Sequence, residues 1–431
     1  MARVLIHMLR EHGHLLPTVK LAHALVRAGH VVEHLLTPSW QSFADAHGLR
    51  LRPYLEHAYP RGSELAWERM GEAERAADLE ARQQQRTAWL LAGGLVREYE
   101  RAAPDLVLGD VFDVSIPLAA HRAGVRLVQL STSVFQGREP GVPPLTSSLR
   151  WGPDAGSRRA ADEAWARLHA ERSARATSDG YLGYVQRLVE AHDFPRDHIS
   201  WEGAVAPDFP ALTQLVLCPR AFEFPRPLPE RCCYDVPSLD ARPQVIDDDT
   251  LAWLGDAPLV YCAFGTQVQW RPGYRRLYDE VLALARHRPA LRWLVATGAA
   301  WRDDYAASAP GNARVVAHAP QHAVLRRARL MITVGGLGSI KECVWLGVPM
   351  VLLPSREGYD PPGNAARAAH HGLAHVLDPE RADAGALARA VDAVVAGEPA
   401  AAVQRMRAAF VAAEGSSRGV ERIERALAGR A

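Results

Sequence analysis

Lysine is almost missing from this chain: of 50 basic residues only Lys20 and Lys341 are lysine. With 30 prolines and abundant alanine, that bias reads as the imprint of a GC-rich coding sequence rather than a functional signal. An excess of one charge is missing too, since 50 basic residues meet 49 acidic ones and neither sign gathers into a tail. That balance excludes the electrostatic footprint of a nucleic-acid binder. Cysteine is scarce: Cys218, Cys232, Cys233, Cys262 and Cys343 are odd in number, with two adjacent. They form neither a disulfide framework nor a zinc spacing, so a reducing cytoplasm is the expected location. No run reaches 18 uncharged apolar residues, which excludes an ordinary membrane-spanning helix. The opening segment ARVLIHMLREHGHLLP turns polar too early for a signal peptide. A hydrophobic fraction of 48% excludes disorder, and 431 residues suggest two globular domains of about 200 residues each.

Short apolar runs alternate with helical stretches. Arg3 to Met8 reads as a buried strand, Leu15 to Ala28 as a helix stopped by Gly29, and Val31 to Leu36 as the next strand. Asp105 to Gly109, Val125 to Leu130 and Leu212 to Cys218 continue the pattern, the last closing the first domain. Helical, charged insertions occupy 61–100 and 159–190, and a loop rich in proline, glycine and serine occupies 136–158. The proline-dense stretch 219–245 reads as a connector. Strands restart at 258–264, 291–296, 313–317, 330–334 and 349–353. The spacing predicts two open α/β domains, 1–218 and 246–415, facing across a cleft, with a C-terminal helix in 416–431.

The sharpest local feature is LMITVGGLGSIKECVWLGVPMVLLPS. A strand runs into Gly335, Gly336, Leu337, Gly338 and Ser339, and a helix follows. Glycines there let the backbone approach a ligand, and a new helix offers N–H groups to phosphate. Glu342 falls one turn further on the same face, where a carboxylate suits ribose hydroxyls. Taken alone, the cluster reads equally as a tight turn packed with glycine, because it is neither a dinucleotide fingerprint nor a P-loop.

This segment resembles the nucleotide-sugar signature of the two-domain GT-B glycosyltransferases, particularly the family 1 group acting on small acceptors. The pieces here are HAPQ at 318–321, VGGLGSIKE at 334–342, GVP at 347–349 and DPPGN at 360–364. LAWLGDAPLVYCAFGTQ at 251–267 and GHLLP at 13–17 resemble two further turns of that family. Each piece is weak; their order across two domains is what makes the resemblance specific.

The resemblance implies an inverting, metal-independent transfer of a sugar from a UDP- or dTDP-linked donor to a hydroxyl or amine of a small molecule. By analogy with the fold family, that molecule is a bacterial secondary metabolite of the macrolide kind. The resemblance makes His14 the general base and Asp110 the carboxylate that orients it. An imidazole near neutrality and a buried carboxylate suit those tasks. His12 and Asp113 are neighbouring rivals. On the donor side it implies Gly265, Thr266, Gly335, Gly336 and Ser339 at the diphosphate, Glu342 at the ribose, and Gln321 and His318 at the base or ribose. Asp360 and Asn364 would serve the sugar. No cofactor is expected beyond the donor itself, and no metal. A homodimer or a partner glycosyltransferase stays open.

Three departures from the family bear on the donor. Val334 stands where a histidine usually meets the phosphate, His318 where a tryptophan usually stacks, and Pro361 where a glutamine usually reads the sugar. Arg356 and Glu357, in a loop two residues longer than usual, are candidates for that lost contact. The same departures allow an auxiliary GT-B protein that activates a partner transferase, or a nucleotide-sugar epimerase. For the acceptor, Trp67, Trp89 and Phe135 are candidate aromatic walls or helix-packing residues, and Arg138, Glu139 or Arg61 are candidate polar contacts.

Overall fold

The computed structural model describes residues 1–63, 70, 72–174, 180–239, 244–265, 268, 273–355 and 359–429. The first sheet is made of β1 (Arg3–His7), β2 (Val31–Leu36), β3 (Leu51–Pro53), β4 (Leu106–Asp110), β5 (Leu127–Ser131), β6 (Gln214–Val216) and β7 (Cys232–Cys233). All pairings are parallel, in the order β3-β2-β1-β4-β5-β6-β7. The second sheet contains β8 (Leu259–Ala263), β9 (Arg292–Ala296), β10 (Ala313–Val316), β11 (Ala328–Thr333), β12 (Met350–Leu352) and β13 (Ala374–Val376). Its order, β10-β9-β8-β11-β12-β13, repeats the first six positions of the other sheet, again all parallel. In each sheet the winding reverses beside the first strand, between β1 and β4 and between β8 and β11. Ligands of doubly wound sheets sit at that reversal.

Strands buried on both faces explain the near-continuous apolar runs. Along β1, Val4 and Ile6 pack to one side with Leu21, Leu25 and Ile423, while Leu5 packs to the other with Tyr99 and Ile116. In the second domain Tyr261 and Met331 face one core cluster, and Val260, Cys262 and Ile332 the other.

Several local expectations change. The helix expected from Leu15 to Ala28 is broken: a single turn, His12–Leu15, leads into a tight 3₁₀ turn, Leu16–Thr18, and α1 begins only at Val19 (Val19–Arg27). Pro17 has no N–H for the helical ladder, so the chain tightens there before the helix propagates. The insertions contain α2 (Glu72–Leu91) and α3 (Tyr181–Ala191), among other helices. β7 lies inside the stretch read as connector, and β13 extends the second sheet past residue 353. Both are only two or three residues long and too short to show a period.

The second domain also carries α4 (Leu337–Leu346), α5 (Pro361–His370) and α6 (Ala400–Glu414). The last helix, α7 (Arg418–Leu427), returns to the first domain. Ile423 and Ala426 are buried in that domain's core, and Arg126 donates to the Ala426 carbonyl at 3.2 Å. No described helix is long and apolar enough to cross a membrane.

Candidate active site

The reversal point of the first sheet brings two sequence candidates together. His14 sits in the turn directly after β1, and Asp110 is the last residue of β4. His14 Nδ1 and Asp110 Oδ2 are 2.7 Å apart. The carboxylate is fully buried and also accepts from the N–H groups of Leu9 (3.1 Å) and Phe112 (2.9 Å). Held that way, Asp110 fixes the proton on Nδ1 and leaves Nε2 as the proton acceptor. Burial alone would lower the His14 pKa. The charge and hydrogen bond of Asp110, helped by Glu11 and Asp360, outweigh it and raise the value to about 9.

The rivals are engaged elsewhere. Asp113 is paired with Arg86 at 2.6 Å and bonded by Ser115. His12 packs edge-on against Trp40 and Phe43, its pKa lowered by burial and by the charge of His318.

The reversal point of the second sheet gathers the donor candidates. Gly265 follows β8 at φ +87° and Gly335 follows β11 at φ +84°, both conformations that a side chain would strain. Gly336 caps α4, whose first turn presents its N–H groups at the same place. Gln321 donates from Nε2 to Ser339 Oγ (3.3 Å) and to Glu342 Oε2 (2.9 Å), tying three candidates into one wall. Val334 is buried in the apolar cluster beside the Gly265 turn, so its side chain supplies no polar contact there. His318 is exposed, near enough to His12 across the cleft for its charge to be felt. Thr266, Arg356 and Glu357 lie outside the described residues.

Between the two walls stands Asp360, whose Oδ2 accepts from Asn364 Nδ2 (2.8 Å) in its own domain and from Ser133 Oγ (2.7 Å) in the other. Asn364 is completely buried and also donates to the Gly335 carbonyl (3.3 Å). It therefore positions Asp360 and the glycine turn from beneath. Pro361 and Pro362 begin α5 without N–H groups, and the next amide, Gly363, donates to Leu145 O at 2.9 Å across the domain boundary. The first turn of α5 is thereby closed to a sugar hydroxyl.

Two residues in this geometry escaped the sequence reading: Ser133 and Thr132, whose Oγ1 lies 3.2 Å from His14 Nδ1. The available signal was the polar run Ser131–Thr132–Ser133 at the end of an apolar strand.

No group of metal-binding residues occurs among the described residues. Of the candidate aromatic walls, Trp89 is engaged in packing, while Phe135 lines an outer cavity with Arg138 and Glu139. Trp89 packs against Tyr54 and the face of Gly94, and Phe135 is buried between Arg226 and Arg231. Exposed Arg138 pairs with half-buried Glu202 at 3.0 Å, and Glu139 lines that outer region too. Arg61 is exposed, and Trp67 lies outside the described residues. A cavity of about 390 Å³ is walled by Phe112, Asp113, Arg86 and Tyr184, and Phe112 stands edge-on to His14 with ring centroids 5.8 Å apart.

Two parallel α/β sheets of the same winding, with their reversal points facing each other, define the GT-B glycosyltransferase fold. Residues 293–424 match the family described as "Erythromycin biosynthesis protein CIII-like, C-terminal domain". The whole chain is 25% identical over 437 residues to the oleandomycin glycosyltransferase of Streptomyces antibioticus, spanning 100% of this chain and 92% of that one. Among solved structures, the kitacinnamycin glycotransferase superposes with a TM-score of 0.68 at 21% identity, covering 99% of both chains. The glycosyltransferase VinC in complex with dTDP gives 0.65 at 20% identity, over 99% of this chain and 100% of that one. The chain is thus similar in sequence to a natural-product glycosyltransferase over its whole length, and in fold to others.

Proposed function

We propose that this protein is an inverting glycosyltransferase that moves a hexosyl group from a UDP- or dTDP-linked donor to a hydroxyl or amine of a small secondary metabolite, without a metal. The observation that carries the reading is the pairing of His14 with Asp110 at 2.7 Å, across the cleft from the Gln321–Ser339–Glu342 wall. In this reading His14 Nε2 takes the acceptor proton. The acceptor atom bonds to the anomeric carbon while the bond to the diphosphate breaks, and that electron pair leaves with the phosphate oxygen. One direct displacement inverts the configuration.

The leaving charge is met by backbone N–H groups at Gly335, Gly336 and the start of α4, because the Val334 side chain offers no donor. Glu342 and Gln321 hold the ribose, His318 stands at the base, and Asp360, poised by Asn364 and Ser133, takes the sugar. Thr266 is assigned with Gly265 to the front of the phosphate pocket on its motif alone. We place the domain limits at 1–218, 246–415 and 416–431, with 219–245 as connector. The reaction is placed in the cytoplasm, consistent with five free thiols. VinC in complex with dTDP and the oleandomycin enzyme support the donor and acceptor classes. The assembled His14–Asp110 pair favours this enzyme over an auxiliary protein or an epimerase.

Two measurements test it. UDP or dTDP, but not NAD, should raise thermal stability, by roughly 2.7 kcal/mol at 100 times the dissociation constant. His14→Ala should lower transfer roughly 10²- to 10⁴-fold while nucleotide binding persists. Undiminished turnover in that variant removes His14 from the mechanism.

A further inference from the structure

The three hydroxyls at the end of β5 each have a partner of their own, and together they reach across the cleft. Ser131, the last residue of β5, is held by its neighbouring strand, its carbonyl accepting from the Leu217 N–H at 2.9 Å. Its Oγ donates to the Ser133 carbonyl at 2.9 Å, which folds the turn back onto the strand. The far side is pinned too, since the Phe135 amide donates to the Tyr234 hydroxyl at 2.9 Å. Ser131, Thr132 and Ser133 are all buried, so the backbone between these anchors has little room to move.

From this fixed turn two consecutive side chains go to two different domains. Thr132 Oγ1 lies 3.2 Å from His14 Nδ1, the nitrogen that Asp110 Oδ2 meets at 2.7 Å. A carboxylate is the stronger acceptor, so the Nδ1 proton belongs chiefly to Asp110 and the Thr132 oxygen shares it. Two oxygens on one nitrogen fix the tilt of the ring as well as its proton. Ser133 Oγ donates to Asp360 Oδ2 at 2.7 Å, the same oxygen that Asn364 Nδ2 reaches at 2.8 Å from α5. Two donors on one oxygen fix the rotation of the carboxylate. The ends of this bridge are near enough for the Asp360 charge to help raise the His14 pKa.

We propose that Thr132 and Ser133 are paired positioning residues, a rigid turn that sets the base of one domain at a fixed spacing from the sugar carboxylate of the other. Thr132 acts through His14 and Ser133 through Asp360, whose Oδ1 is then the oxygen presented to a sugar hydroxyl. Consecutive Cα atoms stand about 3.8 Å apart, so one peptide unit sets the spacing, more tightly than the packing of two domains could. Such precision matters in a direct displacement, where a misplacement of about 1 Å can cost about 100-fold in rate. The inference rests on reading His14 as the base and Asp360 as the sugar contact.

The test follows the His14 imidazole by NMR titration of the full-length protein, beside calorimetry with UDP, dTDP and UDP-glucose. Thr132→Val keeps the shape and removes the oxygen, so the His14 midpoint should fall by about 0.5–1 pH unit, and Thr132→Ser should hold it at the wild-type value. Ser133→Ala should weaken UDP-glucose about 3- to 10-fold and leave UDP unchanged, a split that general loosening of the fold would not produce. A midpoint unmoved by Thr132→Val overturns the proposal. So does a Ser133→Ala variant that weakens UDP and UDP-glucose alike, or that binds UDP-glucose as tightly as the wild type or more so. In each of these cases UDP binding by the wild type leaves the glycosyltransferase reading standing, whereas a wild type that binds neither UDP nor dTDP strikes at that reading itself.

Discussion

At the scale of single residues, the His14–Asp110 pair makes a pH prediction. A raised imidazole value means that His14, the proposed base, rests protonated at neutrality. Activity at low acceptor concentration should therefore climb with pH, with a midpoint near 9. Replacing Asp110 by Asn removes the charge that offsets burial. The midpoint should then fall toward or below 6.5, and turnover should drop by about 10²- to 10⁴-fold as the tautomer is lost. The pH–rate profile of Asp110→Asn checks both, and an unmoved midpoint would show that another group titrates. Stability carries the same sign: a folded value above 6.5 stabilises fully below that pH and is lost as pH rises through about 9.

The histidine and the aspartate were legible because Asp110 closes an apolar strand and His14 stands in the turn after another, each in a recognisable motif. Ser133 and Thr132 left only a polar run after an apolar strand as a signal, and the partner of Ser133, Asp360, lies 227 residues away. The two lysines teach the opposite lesson. Composition gave them no meaning, yet both serve one interdomain node: Lys341 donates to Ser238 Oγ at 2.7 Å, and Lys20 to Glu414, which also accepts from the Ser238 amide.

At the scale of elements, α4 and its glycine turn concentrate the residues proposed to hold the donor. Gly335 at φ +84° tolerates a Cβ in space, its nearest neighbour being Pro361 O at 3.6 Å, but not in conformation. Gly335→Ala should cost about 1–2 kcal/mol of stability through left-handed strain and weaken nucleotide binding by tilting the first turn of α4. Glu342→Ala leaves the backbone alone and should weaken UDP by about 10-fold, the scale of a hydrogen bond to a charged group. Calorimetry on both variants separates the contributions, and unaltered UDP affinity in Glu342→Ala would take that carboxylate out of the ribose site.

The strands flanking this turn were readable to within two residues because they are apolar and bounded by glycine: 330–334 was expected and Ala328–Thr333 is found. The helix after β1 was misjudged because a proline tolerated in a first turn also permits a 3₁₀ start. β7 could not be read at all. Two cysteines among prolines have neither period nor length, and only pairing with β6 makes them a strand.

At the scale of the molecule, the domains are joined by buried charge as well as by chain. Glu223, in the connector, accepts from Arg367 of α5 at 2.7 Å, from Arg226 at 3.1 Å and from the Tyr234 hydroxyl at 2.7 Å. All of these groups are buried. No sequence pattern announces such a cluster, because 144 residues separate Glu223 from Arg367 and neither stands in a motif. Burial alone would raise the Glu223 pKa. The two guanidiniums, with hydrogen bonds from Arg367 and Tyr234, instead hold it down near 2.

A depressed carboxylate stabilises the fold above its ordinary value of 4.5 and loses that contribution as pH falls through about 2. Glu223→Gln keeps the shape but strands two buried cations, so it should cost about 3–5 kcal/mol. Because the cluster ties the connector to α5, which begins beside Asp360, the loss should also reach the proposed sugar contact. In the variant, unfolding in urea should shift to lower denaturant and the acid sensitivity of the wild type between pH 4.5 and 2 should flatten. Donor turnover should fall more than UDP affinity, since the nucleotide wall on α4 is held separately by Lys341 against Leu217 O at 2.7 Å. Equal losses of turnover and UDP affinity would mean that the cluster supports the second domain as a whole, and has no particular hold on the helix that carries the sugar contact.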